Sequence, residues 1–183
     1  MDLLLWARAL AEQLLAEPLP RRWAHSQGVG GLAEMLADVL GEDAELLAAA
    51  AWLHDIGYAP DLVKTGMHQL DGARYLRDVA GADPRICALV AHHTCACIEA
   101  RNRGLHDELE AEFPPISGLL ADALTYCDMS TTPDGELTEA KDRLTEILDR
   151  YGAGTLVFDT MTEAAPIIFD ATGRVSALMA ARQ

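Results

Sequence analysis

Apolar positions recur at spacings of three and four almost from end to end of the chain, the period of an α-helix packed on one side. Leu3, Leu4, Trp6, Ala7, Leu10, Leu14 and Leu15 form a first stripe, closed by Pro18 and Pro20. A second helix is predicted over residues 21–40, with Leu32, Met35, Leu36, Val39 and Leu40 on its apolar side. Gly28, Gly30 and Gly31 each cost it about 1 kcal/mol against alanine, tolerable where another segment must approach closely. The third helix, 44–55, is apolar nearly all round, as the buried centre of a domain is, yet it ends on the polar pair His54-Asp55. Further helices are predicted over 68–80, 84–100, 116–129 and 137–151. Asp83-Pro84 opens one of them as an N-cap followed by proline at the first helical position. A last helix over 157–181 should be kinked or broken by Pro166 and Gly173. Residues 101–115 read as the most polar and loop-like stretch. With no alternating strand pattern, no repeat and no low-complexity linker, the expectation is an all-α fold, a single bundle of six to eight helices.

Composition narrows what such a bundle does. The 14 Lys and Arg against 29 Asp and Glu leave a formal net charge of −15, which repels a phosphate backbone and argues against an extended nucleic-acid partner. No apolar run approaches the roughly 18 residues of a membrane-spanning helix. The opening Met1-Asp2-Leu3 has an acid where a signal peptide carries a base. Cys87, Cys95, Cys97 and Cys127 form no CxxC pair and no disulfide framework. A reduced, cytoplasmic protein is the expectation.

Candidate chemistry lies in an ordered set of polar residues on predicted helices: His25, then His54-Asp55, then His68, then His92-His93, then Asp128. Singly, each reads as a core or helix-end residue. Together they are what a helical bundle uses to build a metal site from facing side chains. Imidazole and carboxylate suit iron, manganese, zinc or nickel, and the cysteines supply no structural zinc cage. His25, His54, Asp55 and Asp128 would hold one ion, and His68 with His92 or His93 a second, through Asp55 as the bridging and catalytic carboxylate. His92 and His93 point about 100° apart on a helix, so one faces metal and the other substrate or the surroundings; both are candidates, His92 placed first. Two divalent ions beside two carboxylates leave a positive pocket that draws anions, and a two-metal site activates water and clamps phosphoryl oxygens.

The set resembles the HD-domain superfamily of metal-dependent phosphohydrolases, whose signature, H…HD…D, maps onto His25, His54-Asp55 and Asp128. Its surroundings, Ala-Ala-Trp-Leu-His-Asp-Ile-Gly-Tyr and Ala-Asp-Ala-Leu-Thr-Tyr-Cys-Asp-Met, are similar to the family's. The resemblance covers residues 21–151, an HD-type metal-binding domain, leaving 1–20 as an N-terminal helix on the core and 152–183 as a C-terminal helical extension. These outer helices are left for packing or for contacts in a homodimer. His68 and His92-His93 place the chain nearest the two-metal subset, which implies two divalent ions, iron or manganese before zinc, nickel or magnesium. That subset includes the HD-GYP cyclic-dinucleotide phosphodiesterases and small hydrolases of dinucleoside polyphosphates. Here Tyr58-Ala59-Pro60 is not a Gly-Tyr-Pro element and Thr94 stands where HD-GYP proteins carry a Glu, so the likeness does not extend to that branch.

Arg22, Lys64 and Thr94 are the candidate substrate anchors: Arg22, like Arg21, shares a helix face with His25, Lys64 sits in the loop before His68, and Thr94 follows the double histidine. Asp71 and Asp122 are candidates to orient ligands, and His106 has no assigned place. The expected activity is hydrolysis of a small, anionic, phosphate-bearing substrate, a phosphate ester or nucleotide. The same ligand pattern serves di-iron oxygenases of the superfamily, the alternative, and a non-catalytic ligand-binding module is a third reading.

Overall fold

In the computed structural model, which describes residues 2–182, the Asp2 carboxylate accepts hydrogen bonds from the Leu4 and Leu5 N–H groups and starts α1 (Leu3–Leu15). Pro20 opens α2 (Pro20–Met35), where its missing N–H costs nothing. There follow α3 (Ala37–Leu40), α4 (Ala44–Leu53), α5 (His68–Asp78), α6 (Pro84–His92), α7 (Ala96–Arg103), α8 (His106–Glu112), α9 (Leu119–Met129), α10 (Ala140–Tyr151) and α11 (Leu156–Ala180). Among the described residues there is no strand, only an isolated antiparallel bridge between Thr131 and Leu137. No described helix is long and apolar enough to cross a membrane.

The apolar helix is the centre. Leu46 to Leu53 of α4 are all buried, and α1, α2, α6 and α9 pack around them. Each fully buried leucine there contributes about 1.5–3 kcal/mol. Trp52 shows how the layers interlock: its indole N–H donates to Glu34 on α2 at 3.0 Å, and Arg8 of α1 lies over its ring. The close approaches that two of the α2 glycines suggested are real. A Cβ on Gly30 would stand 2.4 Å from the Trp52 ring and one on Gly28 2.5 Å from the Gly135 carbonyl, whereas Gly31 faces open space. A second, smaller apolar cluster, including Ile98, Met129, Leu144, Ile147 and Met161, joins α7, α9, α10 and α11.

The bundle is all-α as expected, but cut more finely than six to eight helices. Residues 84–100 do not form one helix: His93 is extended (ψ 149°), Thr94 and Cys95 take left-handed φ of 46° and 62°, and α7 starts afresh. The polar 101–115 stretch contains α8, tied to α5 by ion pairs from Arg74 to Glu108 and Glu112. Conversely α11 runs unbroken through Pro166 and Gly173. Buried Met161 and Ala164 before the proline and Ile168, Ala171 and Val175 after it hold both halves to the bundle, outweighing one lost hydrogen bond.

Candidate metal centre

Five elements deliver polar side chains to one spot. His25 comes from the middle of α2, His54-Asp55 from the end of α4, His68 from the first position of α5, His93 from the break after α6, and Asp128 from the last turn of α9. Three of the imidazoles are held by Nδ1 against a backbone carbonyl: His25 on Thr132 at 3.0 Å, His54 on Ala51 at 2.7 Å and His93 on Val90 at 2.7 Å. With Nδ1 turned to a carbonyl, all three rings present Nε2 to the cluster, where it gives a lone pair to an ion once it carries no proton.

The donors fall into two groups, each with its ligand atoms within 4.8 Å of one another: His25, His54 and Asp128, and Asp55, His68 and His93. Asp55 spans the two. Its Oδ2 is 3.4 Å from His54 Nε2 and 3.9 Å from His25 Nε2, while its Oδ1 is 3.3 Å from His68 Nε2. Burial alone would raise both carboxyls, yet Arg22 and His54 hold Asp55 well below the usual range, and the hydrogen bond with His25 does the same for Asp128. Burial pushes His68 and His93 down, so both are neutral and able to donate a lone pair. His54 behaves oppositely: burial opposes its charge, but Asp55 and Asp128 outweigh it and lift the imidazole to about 9. Its Nε2 is fully buried with no hydrogen-bond partner. A buried, unpartnered nitrogen inside a field that strongly favours positive charge is what a divalent cation, taking the place of the proton, would satisfy. The donor set, His25, His54 and Asp128 on one side of Asp55 and His68 and His93 on the other, fits two such ions that share Asp55.

Local packing holds the set. A Cβ on Gly57 would lie 1.9 Å from the His68 carbonyl, so the turn after His54-Asp55 presses directly on the start of α5. Tyr58 stacks on His68, centroids 4.0 Å apart, and the Arg22 guanidinium lies 4.0 Å over the Tyr58 ring while donating to Asp55 Oδ2 at 2.7 Å. Thr94 donates its hydroxyl to Asp128 Oδ2. In front of these groups opens a cavity of about 250 Å³, lined also by Gln69, Glu99, Arg103, Arg143, Arg150 and Tyr151.

Of the residues singled out in the sequence, His25, His54, Asp55, His68, His93 and Asp128 come together, with Arg22 and Thr94 beside them. His92, placed ahead of His93, turns away: its Nε2 contacts the Phe113 carbonyl at 2.5 Å. The cause is the break in the helix, which gives His93 the inward direction. Lys64 does not reach the cavity either. Asp71 accepts from the Lys64 and Thr65 backbone N–H groups and turns that loop outward, leaving Lys64 exposed beside Asp61 and Arg74. Asp71 thus anchors a loop rather than a ligand, Asp122 pairs with Arg174, Arg21 pairs with Asp134, and His106 lies near Asp107 and Glu110. Tyr58, Arg103, Arg143 and Arg150 escaped the sequence reading. The two α10 arginines left a trace, since positions 143 and 150 flank the apolar stripe of Leu144, Ile147 and Tyr151.

Comparison with known proteins bears on the same stretch. Ribonuclease Y of Rubrobacter xylanophilus is 39% identical over 70 residues, 38% of this chain and 14% of that protein. Ribonuclease Y of Rhodopirellula baltica is 36% identical over 90 residues, 49% of this chain and 15% of the relative, and that of Thermoanaerobacter pseudethanolicus 41% identical over 69, covering 38% and 14%. The chain therefore matches about a seventh of the length of these curated relatives. No solved structure matches it. The family model described as HD domain matches residues 22–151. That span contains every one of the six clustered histidines and aspartates, from His25 in α2 to Asp128 in α9, and the chain belongs to the HD-domain superfamily of metal-dependent phosphohydrolases.

Proposed function

We propose that this chain hydrolyses a small phosphate ester or nucleotide at a binuclear His/Asp centre. The observation that carries the reading is the position of Asp55, one oxygen toward His25 and His54 and the other toward His68. His25, His54, Asp128 and Asp55 would hold one divalent ion, and His68, His93 and Asp55 the other; iron or manganese suits the donors best. Such a pair of ions supplies an activated water and polarises the phosphoryl oxygens. The chain's own residues do the rest. Arg22, fixed between Tyr58 and Asp55, keeps that carboxylate ionised and oriented, and the Thr94 hydroxyl orients Asp128. Arg22 and Arg103 bring positive charge to the cavity wall of an otherwise acidic molecule, which favours an anionic substrate. At about 250 Å³ the cavity is at the small end for ligand pockets, enough for a phosphate and a modest group attached to it.

A second reading comes from the relatives named Ribonuclease Y: the bond cleaved is an RNA phosphodiester. The net charge of −15 favours the small substrate. Protein purified without oxygen should carry two iron or manganese ions per chain and release phosphate from small esters or nucleotides with or without oxygen. Asp55→Ala should lose at least one ion and all turnover. A variant that keeps two ions and full activity sinks the proposal. Cleavage confined to RNA moves it to the ribonuclease reading, and turnover only in oxygen moves it to an oxygenase.

A further inference from the structure

The cavity does not end at the histidines. Beside it lies a recess of about 70 Å³ lined by Arg21, Arg22, His25, Pro133, Arg143 and Arg150, and the two spaces share Arg22, Arg143 and Arg150. Four arginines thus converge on one recess in a chain with only 14 basic residues against 29 acidic ones. Their carboxylate partners do not match them one for one. Arg21 has Asp134 and Arg22 has Asp55, but Arg143 and Arg150 divide the single Glu146 between them. Arg143 is 5% exposed, and its Nε is buried without any hydrogen-bond partner. A buried N–H left unpaired costs about 1–3 kcal/mol. On the wall of the recess, the Arg143 guanidinium donates from Nη1 to the Glu146 that it shares with Arg150.

We propose that this recess is a second anion subsite, receiving a phosphoryl group next to the one held at the His/Asp centre. It rests on the hydrolase reading and narrows it: the substrate carries a second phosphate adjoining the scissile one, a diphosphate rather than a simple monoester. Guanidinium groups suit the task because their planar fork matches phosphate oxygens two at a time. Some two water volumes of space fit a phosphoryl group and not a base or a sugar. His25 and Arg22 line this recess and also contact Asp128 and Asp55, so the two anion positions are one side chain apart.

The test is isothermal titration of the metal-loaded full chain with inorganic phosphate and with inorganic pyrophosphate. The natural sequence should bind pyrophosphate at least about tenfold more tightly, the scale of one charge-assisted hydrogen bond. Arg143→Gln and Arg150→Gln should each cut that preference to about threefold or less. Arg150 is partly exposed, so its variant carries the test if the Arg143 variant loses its circular-dichroism spectrum. No preference in the natural sequence overturns the subsite. So does a preference that survives in the folded variants, because it then belongs to the metal ligands. Phosphate release without an arginine-dependent preference removes the subsite alone. An arginine-dependent preference without any release leaves the subsite and removes the hydrolase reading.

Discussion

Replacing His93 by alanine takes one of three donors from the Asp55, His68 and His93 group, whereas replacing its neighbour His92 takes none. His93→Ala should therefore lower the metal content by about one ion per chain and activity by more than about 100-fold, beyond the 10–100-fold typical of residues that only support a ligand. His92→Ala should leave the metal content unchanged. Burial holds the His92 imidazole below its usual range, so it is neutral and gives a single N–H to the Phe113 carbonyl. Losing that bond should cost about 1–2 kcal/mol in urea unfolding. Elemental analysis and denaturation of the two variants decide the matter; metal lost from the His92 variant and retained in the His93 variant would reverse the assignment. At this scale the residue types and their order were legible in the sequence, and the choice between adjacent histidines was not. That choice depends on two successive non-glycine residues, Thr94 and Cys95, in the left-handed region. Neither is a residue type that favours such a conformation, so nothing in the local composition announces the break.

Elements were read with similar unevenness. The central α4 and its neighbours follow directly from apolar periodicity, because burying that helix on every side leaves few arrangements. The continuity of α11 through Pro166 and the split of 84–100 did not, since both are decided by what the segment packs against rather than by its own residues. Glycines make this testable. Gly57→Ala would put a methyl 1.9 Å from the His68 carbonyl and 2.7 Å from the Gly72 nitrogen, both backbone, so α5 must move away from the His54-Asp55 turn. The expected cost is about 3 kcal/mol or more, with weakened metal binding because α5 carries His68. Gly31→Ala, on an exposed helical position with nothing within 4 Å, should instead stabilise the protein by about 0.5–1 kcal/mol. Equal midpoints for the two variants in chemical denaturation would mean that the turn and α5 do not press on each other.

For the molecule as a whole, net charge and ion pairing set opposing responses to acid. The charge of −15 at pH 7 repels itself, and that repulsion fades toward the isoelectric point near 4.6. Against this stand carboxylates that arginines hold below their ordinary range: Glu112 through Arg74 and Arg77, Asp78 through Arg77, and Asp134 through Arg21. A carboxylate whose pKa is depressed in the folded state contributes stability that is complete above its unfolded value, about 4, and is lost as the pH falls through the folded one. These pairs lie near the surface, so each is a modest contribution and only their sum is visible. The melting temperature should therefore hold or rise from about pH 7 to 5 as repulsion eases, then fall below about pH 4, where the pairs break and the molecule turns positive. Arg74→Gln removes the pair with Glu108 and leaves Glu112 with Arg77 alone, and it should make that acid fall shallower relative to its own plateau. Thermal melts of the two proteins across that range supply the comparison. A parallel fall in both would assign acid sensitivity to the buried Asp55 and Asp128 instead, whose more deeply depressed carboxyls lose more stability as the pH falls below their unfolded value.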